Sequence, residues 1–382
     1  MPGCFFRSFF KGVGAMSSFY DFKLLSSLLA TLKEKEFKTP TEIQTKAIPT
    51  LLEGRSLVGI AETGSGKTLS YALPLLHHVK NYETQEAAIS VSGQPRAVVV
   101  VPTRELGEQV AKVFKIFTHQ TRLRVRTLLG GTALDVAKRN VAGPLEILVA
   151  TPGRLVQLMD RSLVKLGDTR ILVFDEADQM LDQGFINDAH RIVKETRPDR
   201  QMVLFSATIS SSVEKLIQSL FSDAQVIRSQ GSRKTVPTLI TENKLIKDGR
   251  RFPILEKILA QEVEGGTIIF TNTREQCDKL ADELSEAGMS CTIYRGEMDK
   301  VERRSNLRAF REGRVSLLIS TDLASRGLDV EHVGRVINYH LPQQIENYIH
   351  RVGRTARAGR KGLVINFVTE RDRPLMDEVK KL

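Results

Sequence analysis

Two short segments contain residues that could bind and hydrolyse a nucleoside triphosphate. The first, residues 61–68 (AETGSGKT), follows an apolar run and precedes a helical stretch at 69–79. Glycines let backbone N–H groups approach phosphate oxygens closely, and the N-terminus of the following helix attracts anions. Lys67 is expected to reach the β- and γ-phosphates, and the Thr68 hydroxyl to bind Mg²⁺. The general phosphate-loop pattern has glycine where Ala61 stands, so the match misses one position.

The second segment is the acidic tetrad 175–178 (Asp-Glu-Ala-Asp), which directly follows the apolar run 171–174. Active sites of open α/β sheets lie at the carboxyl ends of strands. Asp175 is therefore expected to hold Mg²⁺ through water, and Glu176 to orient or deprotonate the attacking water. A lone Asp-Glu pair is more often a solvated acidic turn. The upstream phosphate loop favours the catalytic interpretation.

The elements that must position these residues are short apolar runs that alternate with amphipathic stretches. The runs lie at 56–60, 97–101, 147–150, 171–174, 203–205, 267–270, 316–320, 333–339 and 363–368. This alternation is typical of parallel sheets covered by helices on both faces. We predict two α/β domains, at 16–228 and 245–382, joined by a linker at 229–244. A strand is possible within 239–246, and residues 1–15 are expected to be a disordered extension.

Composition narrows the partners and the compartment. The 382 residues carry a net charge of +11, from 56 basic and 45 acidic side chains, which suits a polyanion such as nucleic acid slightly better than mere solubility. The three cysteines are far apart and lack metal-ligand spacing, which fits a reducing, cytoplasmic location. No apolar run approaches the roughly 18–20 residues that a membrane span needs, so no membrane partner is expected.

Taken together, these segments resemble those of the DEAD-box ATP-dependent RNA helicases, and the match extends from about Phe19 to Thr369. The resemblance implies two tandem RecA-like domains, each a mostly parallel sheet flanked by helices, in a bacterial-type core without long extensions. It also implies ATP and Mg²⁺ as cofactors. RNA is the implied partner, bound through its backbone with little sequence specificity, and protein cofactors are a further implied class of partner.

In this family an aromatic residue and a glutamine upstream of the phosphate loop read the adenine, which here implies Phe37 and Gln44. An aromatic ring can stack on the base, and a glutamine amide can donate and accept hydrogen bonds at once. The family usually has glycine where Glu36 stands. The other implied nucleotide-binding residues are Thr63, Gly64, Ser65, Gly66, Lys67, Thr68, Gly327 and Asp329.

The family's RNA-backbone segments also have counterparts in both halves of the chain. The implied RNA-binding residues are Arg104, Gly131, Thr151, Arg154, Thr273, Gly296, Arg303 and Thr321. Arginines, hydroxyls and glycine N–H groups suit contact with phosphate and sugar, not base reading. Arg295 and Lys300 stand where the family usually has His and Gln. Because both add positive charge near the expected RNA path, we expect RNA binding to survive these changes.

The resemblance assigns Arg354 and Arg357 to stabilising charge on the transferring phosphoryl group. Their i, i+3 spacing predicts one shared helical face. The family usually has Gly at Ala356 and Asp at His340, and His340 is interpreted as a tolerated loop residue, not a pH switch. Coupling of hydrolysis to strand separation is assigned to Asp178, Ser206, Thr208, Arg326 and His350. Because the arginines and the phosphate loop lie in different domains, the active site is expected to form only on closure.

Three functions remain in competition. The leading hypothesis is an RNA-dependent ATPase that unwinds short duplexes or displaces bound proteins. A DNA-unwinding ATPase would share the core chemistry, although the segments containing Gln44 and Asp178 favour RNA. A nucleotide-gated RNA clamp that hardly turns over is the third, and the presence of Lys67, Glu176 and Arg354 argues against it.

Overall fold

The structure is a computed structural model, and the chain divides into two compact units, Met1–Ser229 and Gln230–Leu382. It describes residues 18–62, 64–86, 89, 91–229, 239–296, 298–322, 330, 332–356 and 361–380. The extension predicted at 1–15 therefore lies outside the described residues. So do five predicted site residues: Thr63, Arg326, Gly327, Asp329 and Arg357.

The first unit is built on a parallel sheet. Its strands are β1 (Leu57–Ile60), β2 (Ala97–Val100), β3 (Val125–Leu128), β4 (Ile147–Ala150), β5 (Ile171–Phe174), β6 (Gln201–Ser206) and β7 (Gln225–Arg228). Within the described residues they pair in the order β3-β4-β2-β5-β6-β1-β7. Every residue of β1, β2, β4, β5 and β6 is buried. Burial on both faces explains why these strands are mostly apolar, with polar residues in β6 only at its two ends, Gln201 and Ser206.

Helices cover both faces of this sheet. They are α1 (Ser26–Glu34), α2 (Glu42–Leu52), α3 (Lys67–Glu86), α4 (Arg104–Thr121), α5 (Leu134–Val141), α6 (Pro152–Asp160), α7 (Ala177–Asp182), α8 (Ile186–Glu195) and α9 (Ser211–Leu220), preceded by a 3-10 turn at Phe19–Asp21. Successive strand side chains point to opposite faces. Val99 accordingly packs with the core beneath α1–α4, and Val98 with the core beneath α5–α9.

The second unit repeats this architecture. Its strands are β8 (Leu239–Leu245), β9 (Gly266–Thr271), β10 (Cys291–Tyr294), β11 (Leu317–Thr321), β12 (Val333–Asn338) and β13 (Gly362–Val368), paired in parallel in the order β10-β11-β9-β12-β13-β8. Its helices are α10 (Phe252–Leu259), α11 (Arg274–Glu286), α12 (Lys300–Arg311), α13 (Ile345–Val352) and α14 (Arg373–Val379), with a 3-10 turn at Glu370–Asp372. Residues 239–244, predicted as part of the linker, instead form most of β8.

A row of hydrogen-bonded amides crosses three strands of this second sheet, and it is buried at Asn338 and Asn366 but exposed at Asn243. Asn338 of β12 donates from Nδ2 to Asn366 Oδ1 of β13 at 2.8 Å, and Asn366 donates to Asn243 Oδ1 of β8 at 2.9 Å. Asn366 also donates to the Tyr348 hydroxyl of α13 at 3.1 Å. Because buried polar groups are costly unless hydrogen-bonded, this row fixes the lateral alignment of the strands that it joins.

The strands absent from the sequence-based prediction are β3, β7 and β10. All three lie at the end of their sheet and contain only four residues each. Polar and exposed positions interrupt them, such as Arg126 in β3 and Arg228 in β7. An edge strand has one unpaired side and is partly exposed, so it lacks the continuous apolar run that marks a central strand.

Two departures from the family pattern occupy left-handed backbone. Glu36 has φ +58° and Ala356 has φ +54°, at positions where the family usually has glycine. Glu36 closes α1, because the N–H of Phe37 donates to Leu32 O at 2.9 Å and its own N–H donates to Lys33 O at 3.1 Å. These two hydrogen bonds form the Schellman motif, which favours glycine at the left-handed residue.

Within the described part of the chain, no helix is long and apolar enough to span a membrane.

Replacing Glu36 by glycine should stabilise the protein. Glu36 is exposed, so its substitution relieves left-handed strain worth about 1 kcal/mol while removing little packing. Ala356→Gly should gain less, because the methyl group that it removes is buried. Urea unfolding of the full chain measures both effects. Gly54→Ala is the matched control, since Gly54 has φ +76° with open space around it and should lose stability. A less stable Glu36→Gly variant would contradict this explanation.

Candidate active site and nucleic-acid interface

The phosphate loop joins β1 to α3 and depends on its glycines. Gly64 and Gly66 have φ +84° and +93°, values that side chains disfavour. A Cβ atom on Gly66 would also lie 2.4 Å from Gln44 Nε2. The loop folds back on itself, since Ser65 donates from Oγ to Glu62 O at 2.7 Å. Glycine at residue 66 is thus required both by backbone conformation and by space.

The segment predicted to read adenine also holds the phosphate loop. Gln44 donates from Nε2 to Gly66 O at 3.1 Å, and its Oε1 accepts from the Thr41 N–H at 2.8 Å. Thr41 Oγ1 donates to Ser65 O at 2.7 Å. Phe37 is partly buried against the adjacent core. Adenine reading by Gln44 and Phe37 stays a prediction, but a structural role for Gln44 in fixing the loop was missed from the sequence.

Lys67 begins α3 and is buried close to two carboxyl groups. Its side chain is only 6% exposed, and its Nζ has no hydrogen-bond partner among the described residues. Burial raises the pKa of the Glu62 carboxyl, and the charge of Lys67 opposes that rise. A buried ammonium is stabilised when it is hydrogen-bonded to an anion. Phosphate oxygens therefore suit Lys67 chemically.

Asp175 lies at the carboxyl end of β5 and accepts two hydrogen bonds. The Tyr71 hydroxyl donates to Oδ2 at 2.8 Å, and the Glu176 N–H donates to Oδ1 at 3.0 Å. Burial raises the pKa of Asp175, while the charge of Lys67 and these two hydrogen bonds oppose the rise. Burial and the Asp175 charge raise the pKa of Tyr71 well above its ordinary value, so Tyr71 stays a hydrogen-bond donor.

Glu176 adopts a strained conformation directly after Asp175. Its φ of +51° and ψ of +54° lie in the left-handed region, and the residue is buried. Such strain in a non-glycine residue is frequent at functional sites. The amide Nε2 of Gln179 donates to Glu176 Oε2, and Gln179 is itself buried. Tyr71 and Gln179 are thus two supporting residues that the sequence did not reveal.

The acidic groups here do not form a metal cage of their own. Among the described residues, no group of three or more His, Cys, Asp and Glu side chains could hold a metal ion. Mg²⁺ commonly uses one or two carboxylates together with substrate phosphates and water. The donor set of one buried carboxylate, Asp175, and the Thr68 hydroxyl at the start of α3 fits that mode of binding.

The predicted coupling residues of the first unit are in direct contact. Thr208 donates from its N–H and from Oγ1 to Asp178 Oδ2, both at 3.0 Å. Ser206, the last residue of β6, donates from Oγ to Thr208 O at 2.7 Å. Asp178 lies in α7, directly after the acidic pair. The segment that follows β6 is therefore tied to the segment that follows β5.

The predicted RNA-binding residues of the first unit follow three adjacent strands. Arg104 follows β2, Gly131 follows β3, and Thr151 follows β4, at the β3-β4-β2 side of the sheet. Thr151 Oγ1 accepts from the Gly130 N–H at 2.9 Å, and Arg154 donates to Thr132 O. The nucleotide residues follow β1 and β5. The predicted RNA-binding residues and the predicted nucleotide-binding residues therefore follow different strands of the sheet. Strand β5, which precedes Asp175, is the neighbour of β2.

The second unit collects its predicted RNA-binding residues in the same way. Thr273 follows β9, Gly296 follows β10, and Thr321 ends β11, which are adjacent strands. The Arg303 guanidinium lies 4.6 Å from the centroid of the Tyr294 ring. The substitutions at 295 and 300 have different outcomes. Arg295 is paired with Asp278 at 2.9 Å, so its charge is partly neutralised locally, whereas the side chain of Lys300 is not among those that the structure describes.

Arg351, which the sequence did not single out, organises this group. It is 1% exposed and forms an ion pair with Asp322, the neighbour of Thr321, with an Nη2–Oδ2 distance of 2.8 Å. Nη2 also donates to Oδ1 of Asn272, the neighbour of Thr273, at 2.8 Å. One buried guanidinium therefore positions two of the predicted RNA-binding residues.

Arg354 and Arg357 are expected from their spacing to share one face of a helix, but Arg354 does not lie in a helix. Helix α13 ends at Val352, and Arg354 lies in the turn that follows, where its N–H donates to Arg351 O at 3.1 Å. Arg354 is buried, and its Nε donates to the carbonyl of His350, in the last turn of α13, at 3.2 Å. Spacing alone could not reveal this early helix end.

His340 fits the interpretation of a tolerated loop residue. Burial lowers its pKa to about 4, and the charges of Arg251 and Arg351 act in the same direction. The imidazole is therefore neutral at pH 7, where a change of pH would not alter its charge. Its backbone carbonyl accepts from Arg351 Nη1 at 2.5 Å, so the residue contributes to the second unit through its main chain.

Comparisons with known proteins agree with this geometry. Residues 41–216 match the family model of the DEAD/DEAH box helicases, and residues 250–359 match that of the helicase conserved C-terminal domain. The chain is 36% identical over 366 residues to the RNA helicase CrhR of Synechocystis, covering 95% of this chain and 72% of CrhR. It is 37% identical over 347 residues to the probable ATP-dependent RNA helicase DDX46 of Homo sapiens, covering 90% of this chain but 33% of DDX46.

A solved structure gives the same relationship. Saccharomyces cerevisiae Dbp5 bound to RNA and ADP BeF3 aligns with a TM-score of 0.84 at 30% identity, covering 96% of this chain and 93% of that one. The family models, the relatives and this structure together cover nearly the whole chain. The chain therefore belongs to the DEAD-box family of ATP-dependent RNA helicases.

Proposed function

We propose that this chain hydrolyses ATP in an RNA-dependent cycle and uses that cycle to unwind short duplexes or to remodel RNA–protein complexes. The observation that carries the proposal is the buried Lys67 ammonium, close to Asp175 and without a hydrogen-bond partner among the described residues. A phosphate group would satisfy this ammonium. The phosphate loop, Glu176 and the contact between Asp178 and Thr208 supply the remaining parts of an ATP-driven device.

The residues divide the chemistry among themselves. Thr68 and Asp175 would hold Mg²⁺, which neutralises charge on phosphate oxygens when it is bound. Glu176 accepts a proton from the attacking water, and Gln179 orients its carboxylate. Lys67 stabilises negative charge on the phosphates. Arg354 and Arg357 of the second unit are proposed to stabilise the transferring phosphoryl group, which would make hydrolysis depend on closure of the two units.

Substrate recognition is proposed to be general. Adenine contact is assigned to Phe37 and Gln44, and ribose contact to Gly327 and Asp329. The RNA-binding residues of both units are assigned to the RNA backbone. Target choice then falls to surface loops or to protein partners. We place this activity in the cytoplasm, which accords with the unpaired thiols of Cys277 and Cys291.

RNA should stimulate ATP hydrolysis, and DNA of the same sequence should not. Recognition of an RNA backbone uses the 2′-hydroxyl groups that DNA lacks. Phosphate release from the full chain, measured with matched single-stranded RNA and DNA oligonucleotides, compares the two. The chain without nucleic acid gives the baseline. Equal stimulation by both would favour the second candidate function, a DNA-unwinding ATPase.

Glu176→Gln should stop turnover without preventing substrate binding. The amide cannot accept the proton of the attacking water, so hydrolysis should fall by about 10²–10⁴-fold. ATP-dependent RNA binding, measured by fluorescence anisotropy, should persist or strengthen. Glu53→Gln, which changes an exposed carboxylate after α2, is the control and should hydrolyse ATP normally. Undiminished hydrolysis by Glu176→Gln would disprove the assignment of the base.

Thr208→Val should separate hydrolysis from unwinding. The substitution keeps the side-chain shape but removes the hydroxyl that donates to Asp178. We expect ATP hydrolysis to stay within about tenfold of the wild-type rate, because the hydrogen bond lost, one to a charged group, is worth about 1.5 kcal/mol and lies outside the phosphate site. Unwinding of a short labelled duplex should fall further than hydrolysis. Thr208→Ser retains the donor and should restore unwinding, and equal losses of both activities in Thr208→Val would reject a coupling role.

A further inference from the structure

Tyr71 connects α3 to the carboxylate at the end of β5. Its side chain is 1% exposed, and its hydroxyl donates to Asp175 Oδ2 at 2.8 Å. The ring packs against Phe205 and Phe114, with centroid separations of 5.8 and 6.4 Å. The aromatic body of Tyr71 thus belongs to the core, while its one polar atom reaches the acidic pair.

Tyr71 also lies in the same helix as the second side chain proposed to serve Mg²⁺. Thr68 and Tyr71 are three residues apart in α3, so they occupy one face of that helix. One face of α3 therefore carries both Thr68 and the residue whose hydroxyl donates to Asp175.

A core aromatic residue at this place does not by itself need a hydroxyl. Phenylalanine would offer the same ring to Phe205 and Phe114, and an unpaired buried hydroxyl is costly. Here the hydroxyl is paired with a buried carboxylate, and hydrogen bonds to charged groups are the stronger kind. The bond constrains Asp175, whose other oxygen accepts from the N–H of the adjacent Glu176.

We propose that Tyr71 is a positioning residue for the Mg²⁺ site, and that its hydroxyl holds the Asp175 carboxylate in the orientation in which it and Thr68 serve the ion. The proposal rests on the proposed ATPase function, and it adds a residue that acts through Asp175. The residue does not contact the phosphates in this scheme. Its loss should therefore change the requirement for Mg²⁺ more than the affinity for nucleotide alone.

The test compares the full-length wild type with Tyr71→Phe. A fluorescent ADP analogue is titrated first in EDTA and then at fixed concentration with increasing Mg²⁺. Tyr71→Phe should bind the analogue in EDTA as the wild type does. The Mg²⁺ concentration that gives half of the full affinity increase should rise by about tenfold, the effect expected from losing one hydrogen bond to a charged group.

Tyr348→Phe is the matched control, because Tyr348 is also buried with a hydrogen-bonded hydroxyl but belongs to the second unit. It should retain the wild-type Mg²⁺ requirement. An unchanged Mg²⁺ requirement in Tyr71→Phe would overturn the proposal, and so would equal weakening in EDTA and in Mg²⁺. A wild type whose nucleotide affinity does not respond to Mg²⁺ would instead overturn the metal assignment of the proposed function.

A double-mutant cycle tests the route of the effect. If Tyr71 acts through Asp175, the Tyr71→Phe change should have no further effect on the Mg²⁺ requirement in an Asp175→Ala background, which has no side-chain oxygen to accept from Tyr71. Additive effects of the two changes would reject that route. Thermal melting of each variant shows whether it is folded. Only the Mg²⁺ titrations of folded variants enter the cycle.

Discussion

The first unit depends on keeping a carboxylate inside an apolar core. Asp175 directly follows β5, the central strand of the sheet as described, and burial alone would favour its protonated form. The Lys67 ammonium, the Tyr71 hydroxyl and the backbone of Glu176 oppose that tendency. Because Lys67 and Tyr71 both belong to α3, the stabilised carboxylate also fixes the helix that follows the phosphate loop. The loop is held from its other side by Gln44 and Thr41.

This arrangement gives the sheet a division of labour. Strands on one side of β5 carry the residues assigned to RNA, and β1 on the other side carries the phosphate loop. The contact between Asp178 and Thr208 crosses from the segment after β5 to the segment after β6. In the second unit a buried arginine, Arg351, has the organising role that the carboxylate has in the first. In both units one buried charge with several hydrogen bonds aligns the ends of neighbouring strands.

The central strands, the phosphate loop and the acidic pair could be predicted from the sequence, because each has a local sequence pattern. A buried parallel strand is a continuous apolar run, and the glycine loop is a fixed spacing. The edge strands β3, β7 and β10 lack such a run. Tyr71 and Arg351 could not be assigned roles either. From the sequence alone, an aromatic residue in an apolar helix is predicted to be a core residue, and an arginine in a basic segment is predicted to be exposed. Only the fold shows which polar groups lie beside them.

Helix boundaries set another limit on what spacing can show. The interval between Arg354 and Arg357 suits a helix, yet α13 ends at Val352. Gly353 follows at once, and Ala356 is left-handed. By contrast, the positive φ values of residues 36 and 356 explain why the family usually has glycine at these two positions. Departures from a family pattern are thus informative about backbone geometry even where their effect on function is small.

The amide row of the second sheet has a consequence for the order of events during synthesis. Asn243 of β8 and Asn366 of β13 are 123 residues apart, although their strands are neighbours. A growing chain therefore exposes β8 on the ribosome long before its partner strand exists. Strand β8 cannot join the second sheet until β13 has emerged, because β13 is its neighbour. Pairing between strands so far apart in the chain is slow to form. Until then the backbone N–H and C=O groups of β8 have no partner strand, and unpaired strands of this kind favour association between chains.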